Sequence, residues 1–96
     1  MTSATPKTIG SAIARLFESL GLGARLKQYE VLDKWGEIVG EKIASVTNAE
    51  RIESGRLFVH VTRSTWRNEL VFLKAGIIAK INTQMNAEVV KDIIFR

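Results

Sequence analysis

The sequence predicts an α+β domain in which helices cover one face of a three-stranded mixed sheet. Three observations support this: residues 57–73 change from a strand pattern to a helix pattern, a tight turn precedes them, and an apolar strand pattern closes the sequence. The 96 residues fit one domain, since domains commonly have about 100–150 residues. With 46% hydrophobic residues, the chain can bury one modest core.

Small polar residues begin the chain. Residues 1–5 are therefore expected to form a flexible N-terminus, and a single domain is expected over 6–96. Helical spacing of apolar residues up to Leu20, followed directly by Gly21, predicts a first helix over about 6–20. Its apolar stripe is expected to pack on the domain's own core; docking on a partner is the alternative.

A second helix is predicted over about 24–39. Five apolar residues share one sector of its helical wheel: Leu22, Tyr29, Leu32, Trp35 and Val39. Gly40 is expected to end or kink this helix, and residues 41–46 to add a short turn.

A hairpin follows the helices. Residues 48–53 are expected to form a weak edge strand, and Ser54-Gly55 is a two-residue turn of the kind that closes hairpins. The next strand, over 56–62, alternates in hydrophobicity, and its apolar side is expected to face the helices through Leu57, Val59 and Val61.

The strand leads into a long helix. Ser64 offers a side-chain oxygen at its start, and apolar spacing predicts a helix from there to about 85. Residues 88–95 predict a final strand, parallel to the preceding one after a right-handed crossover. The predicted order is therefore α-α-β-β-α-β, the layout of a KH-like domain.

The residues that catalysis requires are scarce. The chain has no cysteine, and its one histidine, His60, is expected on the strand face away from the core without an acid beside it. Zinc-ligand spacing and Gly-rich phosphate loops are absent from the sequence. We therefore expect a non-enzymatic protein without metal or cofactor.

The sequence also lacks a signal-peptide pattern and any apolar run of the about 20 residues that a membrane-spanning helix needs. A cytoplasmic protein without a membrane partner is expected.

Positive charge indicates a candidate nucleic-acid site. The net charge is +4 and the pI is ≈ 9.8, which fits a nucleic-acid-binding domain. The candidate phosphate-binding residues are Arg51, Arg56, Arg63, Arg67 and Lys74. Binding through them is expected to depend on salt and to tolerate sequence variation. The alternative, that they only keep the domain soluble, stays open.

The aromatic residues divide into two groups. Trp35 and Trp66 fall on apolar helix stripes and are expected in the core. Phe58 alternates to the sheet face opposite the core, beside His60, so these two residues are candidates for partner binding. A protein-interaction module without nucleic-acid contact is therefore a second hypothesis; a monomer or weak homodimer is expected.

Several spaced motifs resemble those of the DciA-like family of bacterial proteins. They are Trp35-x-x-Ile38-Val39-Gly40, Gly55-x-Leu57-x-Val59-x-Val61, Trp66-x-x-Glu69-Leu70, Ile81-Asn82 and Ile93-Ile94-Phe95-Arg96. The resemblance extends from about residue 8 to the end of the sequence. It implies a KH-like domain that binds DNA and acts with the replicative helicase when chromosome replication starts.

The sequence departs from the pattern of its relatives and of RNA-binding KH domains in two ways. Relatives with that role often have a basic extension beyond the folded domain, whereas this sequence stops after its last strand. A KH domain that reads RNA uses a GXXG loop. Here Gly36 and Gly40 are one residue too far apart, and Glu37 and Glu41 beside them would repel phosphate.

Overall fold

A computed structural model describes residues 12–13, 15–16 and 18–96. The expected flexible N-terminus over 1–5 and the start of the first predicted helix lie outside these residues. The described residues from 12 to 19 are helical, in agreement with the first predicted helix, and are called the N-terminal helix below.

From residue 22 onward, the described chain forms four α-helices and a sheet of three β-strands. The elements are α1 (Gly23–Asp33), α2 (Trp35–Val39), α3 (Glu41–Ala44), β1 (Thr47–Glu53), β2 (Arg56–Val61), α4 (Arg67–Met85) and β3 (Asp92–Phe95). The central strand β2 pairs antiparallel with β1 and parallel with β3. The predicted α+β class and mixed three-stranded sheet are therefore confirmed.

The predicted second helix is broken at Lys34, so its expected continuity over 24–39 was wrong. Lys34 leaves the helical conformation (φ −98°, ψ 8°), and Gly40, at φ +91°, separates α2 from α3. Directly after the break, Trp35 is buried and donates a hydrogen bond from Nε1 to Thr47 Oγ1 at 2.9 Å. Apolar residues continue across the break, and hydrophobic periodicity therefore could not locate it.

The hairpin turn forms where the sequence predicts it. Ser54 and Gly55 both have positive φ, 52° and 77°, as the favoured two-residue turn requires. In β1 the register shifts between Ala49 and Arg51, which makes Glu50 a β-bulge. The strand begins at Thr47, one residue earlier than predicted.

The long helix begins and ends close to its predicted limits. A single 3₁₀ turn, Ser64–Trp66, precedes α4, and no side chain caps either start. Trp66 is half-buried in this turn. The helix ends at Asn86, which adopts the left-handed conformation with φ 54°.

The final strand is shorter than the predicted 88–95 because Asn82 holds the residues before it. Asn82 Oδ1 accepts hydrogen bonds from the N–H groups of Val89 (2.9 Å) and Val90 (3.0 Å). Its Nδ2 donates to the Val90 carbonyl at 2.8 Å. These backbone groups bond to a helix side chain, so pairing with β2 starts only at Asp92.

The core lies between β2 and the helices. Leu57, Val59 and Val61 are buried on the predicted side of β2. Against them pack buried helix residues, among them Val31, Ile38, Ile77 and Ile81. The stripe of the N-terminal helix does not follow the expectation of core packing: Ile13, Leu16 and Leu20 are all exposed.

Asn82→Ala should lower the free energy of unfolding by about 2 kcal/mol, because it removes three hydrogen bonds and leaves backbone groups beside buried Val90 without partners. Urea denaturation followed by circular dichroism measures this. The matched control is Gln84→Ala, an exposed change two residues along the same helix. A loss for Asn82→Ala no larger than for the control would contradict this role.

Candidate nucleic-acid interface

The sheet face opposite the core contains the candidate interface. Because side chains alternate along a strand, Arg56, Phe58 and His60 of β2 project away from buried Leu57 and Val59. Phe58 pairs with Arg51 of β1 and with Ile94 of β3. We call this side of the sheet the open face. The predicted position of Phe58 and His60, away from the core, is confirmed.

Three guanidinium groups surround the Phe58 ring. Cζ of Arg51 lies 4.3 Å from the ring centroid, that of Arg96 5.2 Å and that of Arg56 6.0 Å. Guanidinium groups at such distances are attracted to the negative face of the ring. Arg51 and Arg56 are thus brought together, as a shared binding role requires, and Phe58 is half-buried beneath them.

Arg96 is the residue of this cluster that the sequence analysis missed. It follows β3, whose parallel register with β2 puts Asp92, Ile94 and Arg96 on the same side as Phe58. The Arg96 side chain reaches across the sheet to Glu50 of β1, 3.1 Å away. The alternation of the closing strand was the signal that could have identified it.

Carboxylates accompany these arginines. Glu53 pairs with Arg51 at 3.2 Å, and Glu50 pairs with Arg96 at 3.1 Å. Both pairs are solvent-exposed, so each contributes no more than about 1 kcal/mol to stability and can exchange partners easily. Arg56 makes no ion pair within the described part of the chain. The open face is therefore rich in arginine but partly neutralised.

Lys74 lies at the edge of the sheet rather than among these arginines. Its Nζ donates to Asp92 Oδ1 at 3.1 Å, and the same oxygen accepts the N–H of Ile93 at 2.8 Å. The hydrogen bond from Lys74, followed by that from Ile93, lowers the pKa of Asp92 below its ordinary value of 3.8. Lys74 is therefore paired with a carboxylate of β3.

Arg63 and Arg67 lie on either side of the 3₁₀ turn between β2 and α4. Both are exposed, and neither forms an ion pair with another described residue. The seven residue steps of α4 from Arg67 to Lys74 span about 10 Å, which is also the length of the three residue steps of β3 from Asp92 to Phe95. Because α4 runs back along the sheet from Lys74 at Asp92, Arg67 lies toward the Phe95 end of β3. The five predicted residues therefore form two groups: Arg51 and Arg56 on the open face, and Arg63, Arg67 and Lys74 along the segment that leads from β2 into α4.

Trp35, which could in principle stack on a base, is part of the core instead. Trp35 is buried and hydrogen-bonded in the core, as predicted.

Residues 12–13, 15–16 and 18–96 contain no cluster of three or more His, Asp or Glu residues that could hold a metal ion. No helix of that same part of the chain is long and apolar enough to span a membrane.

A family model described as "Dna[CI] antecedent, DciA" matches residues 8–95. The chain belongs to the DciA family. This confirms the family to which the spaced motifs pointed, and the match includes the predicted basic residues as well as Phe58 and His60.

Curated relatives of this DciA-family chain are bacterial UPF0232 proteins. The chain is 27% identical over 88 residues to one from Mycobacterium tuberculosis, covering 92% of this chain and 47% of the relative. It is 26% identical to one from Rhodococcus jostii, with the same coverage, and 24% identical over 87 residues to one from Corynebacterium glutamicum, covering 91% and 49%. The chain thus spans about half the length of these relatives.

Asp92→Asn should reduce stability at neutral pH by about 0.5–1 kcal/mol, as expected for a partly exposed ion pair. Because folding lowers the pKa of Asp92, its charge stabilises the protein above the unfolded-state pKa. That contribution is lost as the pH falls below 3.8 and through the lower folded-state pKa. The difference between variant and wild type should therefore shrink in acid.

Urea denaturation at pH 7 and at several values below pH 4 tests this. Asp33→Asn, which alters an exposed carboxylate of α1, serves as the control. A pH-independent difference for Asp92→Asn would show that the charge of Asp92 is not its source.

Proposed function

We propose that this chain is a non-enzymatic, cytoplasmic adaptor that binds nucleic acid during loading of the replicative helicase. Membership of the DciA family suggests the link to helicase loading. The observation that supports nucleic-acid binding best is the gathering of three guanidinium groups around Phe58 on the open face. The proposed scaffold is a KH-like domain, consistent with the mixed sheet and its helical layer.

Arginines on a flat sheet suit contact with a phosphate backbone. Guanidinium groups bind phosphate through two parallel hydrogen bonds, and their planes also stack on bases and aromatic rings. Arg51 already lies over Phe58, so a base can stack on the exposed side of that guanidinium while Arg56 and Arg96 bind phosphates. Arg63, Arg67 and Lys74 extend the proposed path along the β3 edge.

The proposed contact does not use the base-reading loop of RNA-binding KH domains. Gly36 lies within α2, and Gly40 separates α2 from α3, with Glu37 and Glu41 exposed beside them. Two carboxylates next to these glycines oppose phosphate binding there. Contact through the open face instead predicts weak sequence preference.

Arg51→Ala combined with Arg56→Ala should weaken binding to single- and double-stranded DNA oligonucleotides by about tenfold or more. If each arginine contacts one phosphate, the slope of log affinity against log salt should become less steep by about 1.4 for single-stranded and about 1.8 for double-stranded DNA. Fluorescence anisotropy at low and moderate salt measures both quantities. The control, Arg25→Ala with Lys42→Ala, removes the same charge from exposed helical positions.

Two further results would count against this proposal. Wild-type protein that fails to bind either oligonucleotide at low salt would exclude the proposed DNA binding by this chain. Equal losses in the open-face variant and the helical control would mean that net charge, rather than the open face, determines affinity. Arg67→Ala with Lys74→Ala tests the β3-edge path in the same assay; unchanged binding would remove that path from the proposal.

Glu50→Gln combined with Glu53→Gln should strengthen DNA binding severalfold. These carboxylates pair with Arg96 and Arg51 and thus compete with phosphate for them. Amide side chains keep the shape and remove the competing charge. The control Glu37→Gln with Glu41→Gln makes the same charge change on α2 and α3. Affinity that rises equally in both double variants would mean that competition at the open face is not the cause.

A second candidate function is a protein-interaction module that captures the helicase without nucleic acid. It is favoured by the carboxylates of the open face, where Glu53 and Glu50 pair with Arg51 and Arg96 and reduce the net positive charge. A pull-down with purified replicative helicase after nuclease treatment separates the two functions. Capture that survives nuclease but is lost in Phe58→Ala with His60→Ala supports the second; capture abolished by nuclease removes it.

A further inference from the structure

The N-terminal helix presents an apolar stripe that is exposed in the described part of the chain. Ile13, Leu16 and Leu20 follow one another at spacings of three and four residues, which places them on one side of a helix. Their exposed fractions are 46%, 56% and 61%. Arg15 and Glu18 lie on the opposite side of the helical wheel. The helix is thus amphipathic, with its apolar side facing solvent.

A tight turn holds this helix away from the domain's own core. Gly21 adopts φ +76°, and its N–H bonds to the Glu18 carbonyl at 3.0 Å. A Cβ on Gly23 would lie 3.0 Å from Glu18 Cγ, so the helix end packs directly against the start of α1. This short, close-packed connection holds the helix in the orientation in which its stripe is exposed.

An apolar groove lies elsewhere on the surface, between α2–α3 and α4. Its volume is ≈ 220 Å³, and the residues lining it are Ile38, Val39, Ile43, Leu73, Gly76, Ile77 and Lys80. Gly76 leaves space in it, since an added Cβ there would meet no atom within 4 Å. Beside the groove, Val71, Phe72 and Leu73 are three consecutive exposed apolar residues, and Phe72 is 86% exposed. Such a run indicates a contact surface.

We propose that the N-terminal helix of one copy docks in this groove of a second copy, and the reverse, to form a symmetric dimer. Amphipathic helices bind apolar grooves through residues at i, i+3 and i+7, which is the spacing of Ile13, Leu16 and Leu20. One short helix in a groove buries less than the roughly 1,200 Å² of a stable interface. Reciprocal docking doubles the buried area, as a two-fold dimer allows.

Sedimentation velocity of the full chain over a concentration series tests the dimer. Wild-type protein should dimerise reversibly, and Leu16→Glu and Gly76→Glu should each raise the dimer dissociation constant at least tenfold. The Cβ of Gly76→Glu would meet no atom within 4 Å, and the change replaces a helical glycine, so we expect the fold to be retained. Ala75→Glu, exposed on the same helix but not lining the groove, is the control.

Because the natural chain has no cysteine, a disulfide can report which surfaces meet. Leu16→Cys with Gly76→Cys should form a covalent dimer under mild oxidation, whereas Gly76→Cys alone should not. An intramolecular disulfide in a monomer would place the helix on its own groove and overturn the proposal. A covalent dimer of Leu16→Cys alone would mean that the two N-terminal helices contact each other and would also overturn the proposal. Wild-type protein that stays monomeric at every concentration would overturn it as well.

Discussion

The three hydrogen bonds of Asn82 are the constraint on which the geometry of the sheet depends. They fix Val89 and Val90 against α4, and only after them can the chain enter the sheet beside β2. Because β3 is parallel to β2, its register determines which of its side chains join Phe58 on the open face. A side chain at the end of a core helix thereby positions Arg96, whose guanidinium lies 5.2 Å from the Phe58 ring on the other side of the sheet.

The arginines of the open face are held by contacts within the protein, and their ion pairs with Glu50 and Glu53 are weak enough to be replaced by a ligand. Their guanidinium groups rest on an aromatic ring, which keeps them extended over the sheet, while exposed carboxylates offset part of their charge. Exposed ion pairs contribute about 0–1 kcal/mol, so exchanging Glu50 or Glu53 for a phosphate costs little. The edge pair differs: Asp92 binds Lys74 and the Ile93 N–H together, which also blocks one free backbone donor of the edge strand β3.

Much of the fold was predictable because its elements have simple periods. The alternation of β2, the Ser54-Gly55 turn and the apolar spacing of α4 all depend on neighbouring residues alone. The break at Lys34 was not predictable, since the apolar sector runs through it and the residue that follows it, Trp35, bonds to Thr47, 12 residues later in the sequence. Contacts between residues distant in sequence also decided which of the predicted basic residues lie together. Arg51 and Arg56 are neighbours through the register of β1 and β2. Lys74 instead bonds to Asp92, 18 residues later, and lies apart from them.

The bulge in β1 has a consequence for how this surface can vary in evolution. Thr47, Ala49 and Ile52 are the less exposed residues of the strand, an uneven spacing that results from the extra residue Glu50. Deletion of Glu50 would restore strict alternation and keep every other β1 side chain on its present face. It would remove only the carboxylate that pairs with Arg96. Deletion of this one codon would therefore make the open face more basic and leave the core-facing side chains of β1 in place.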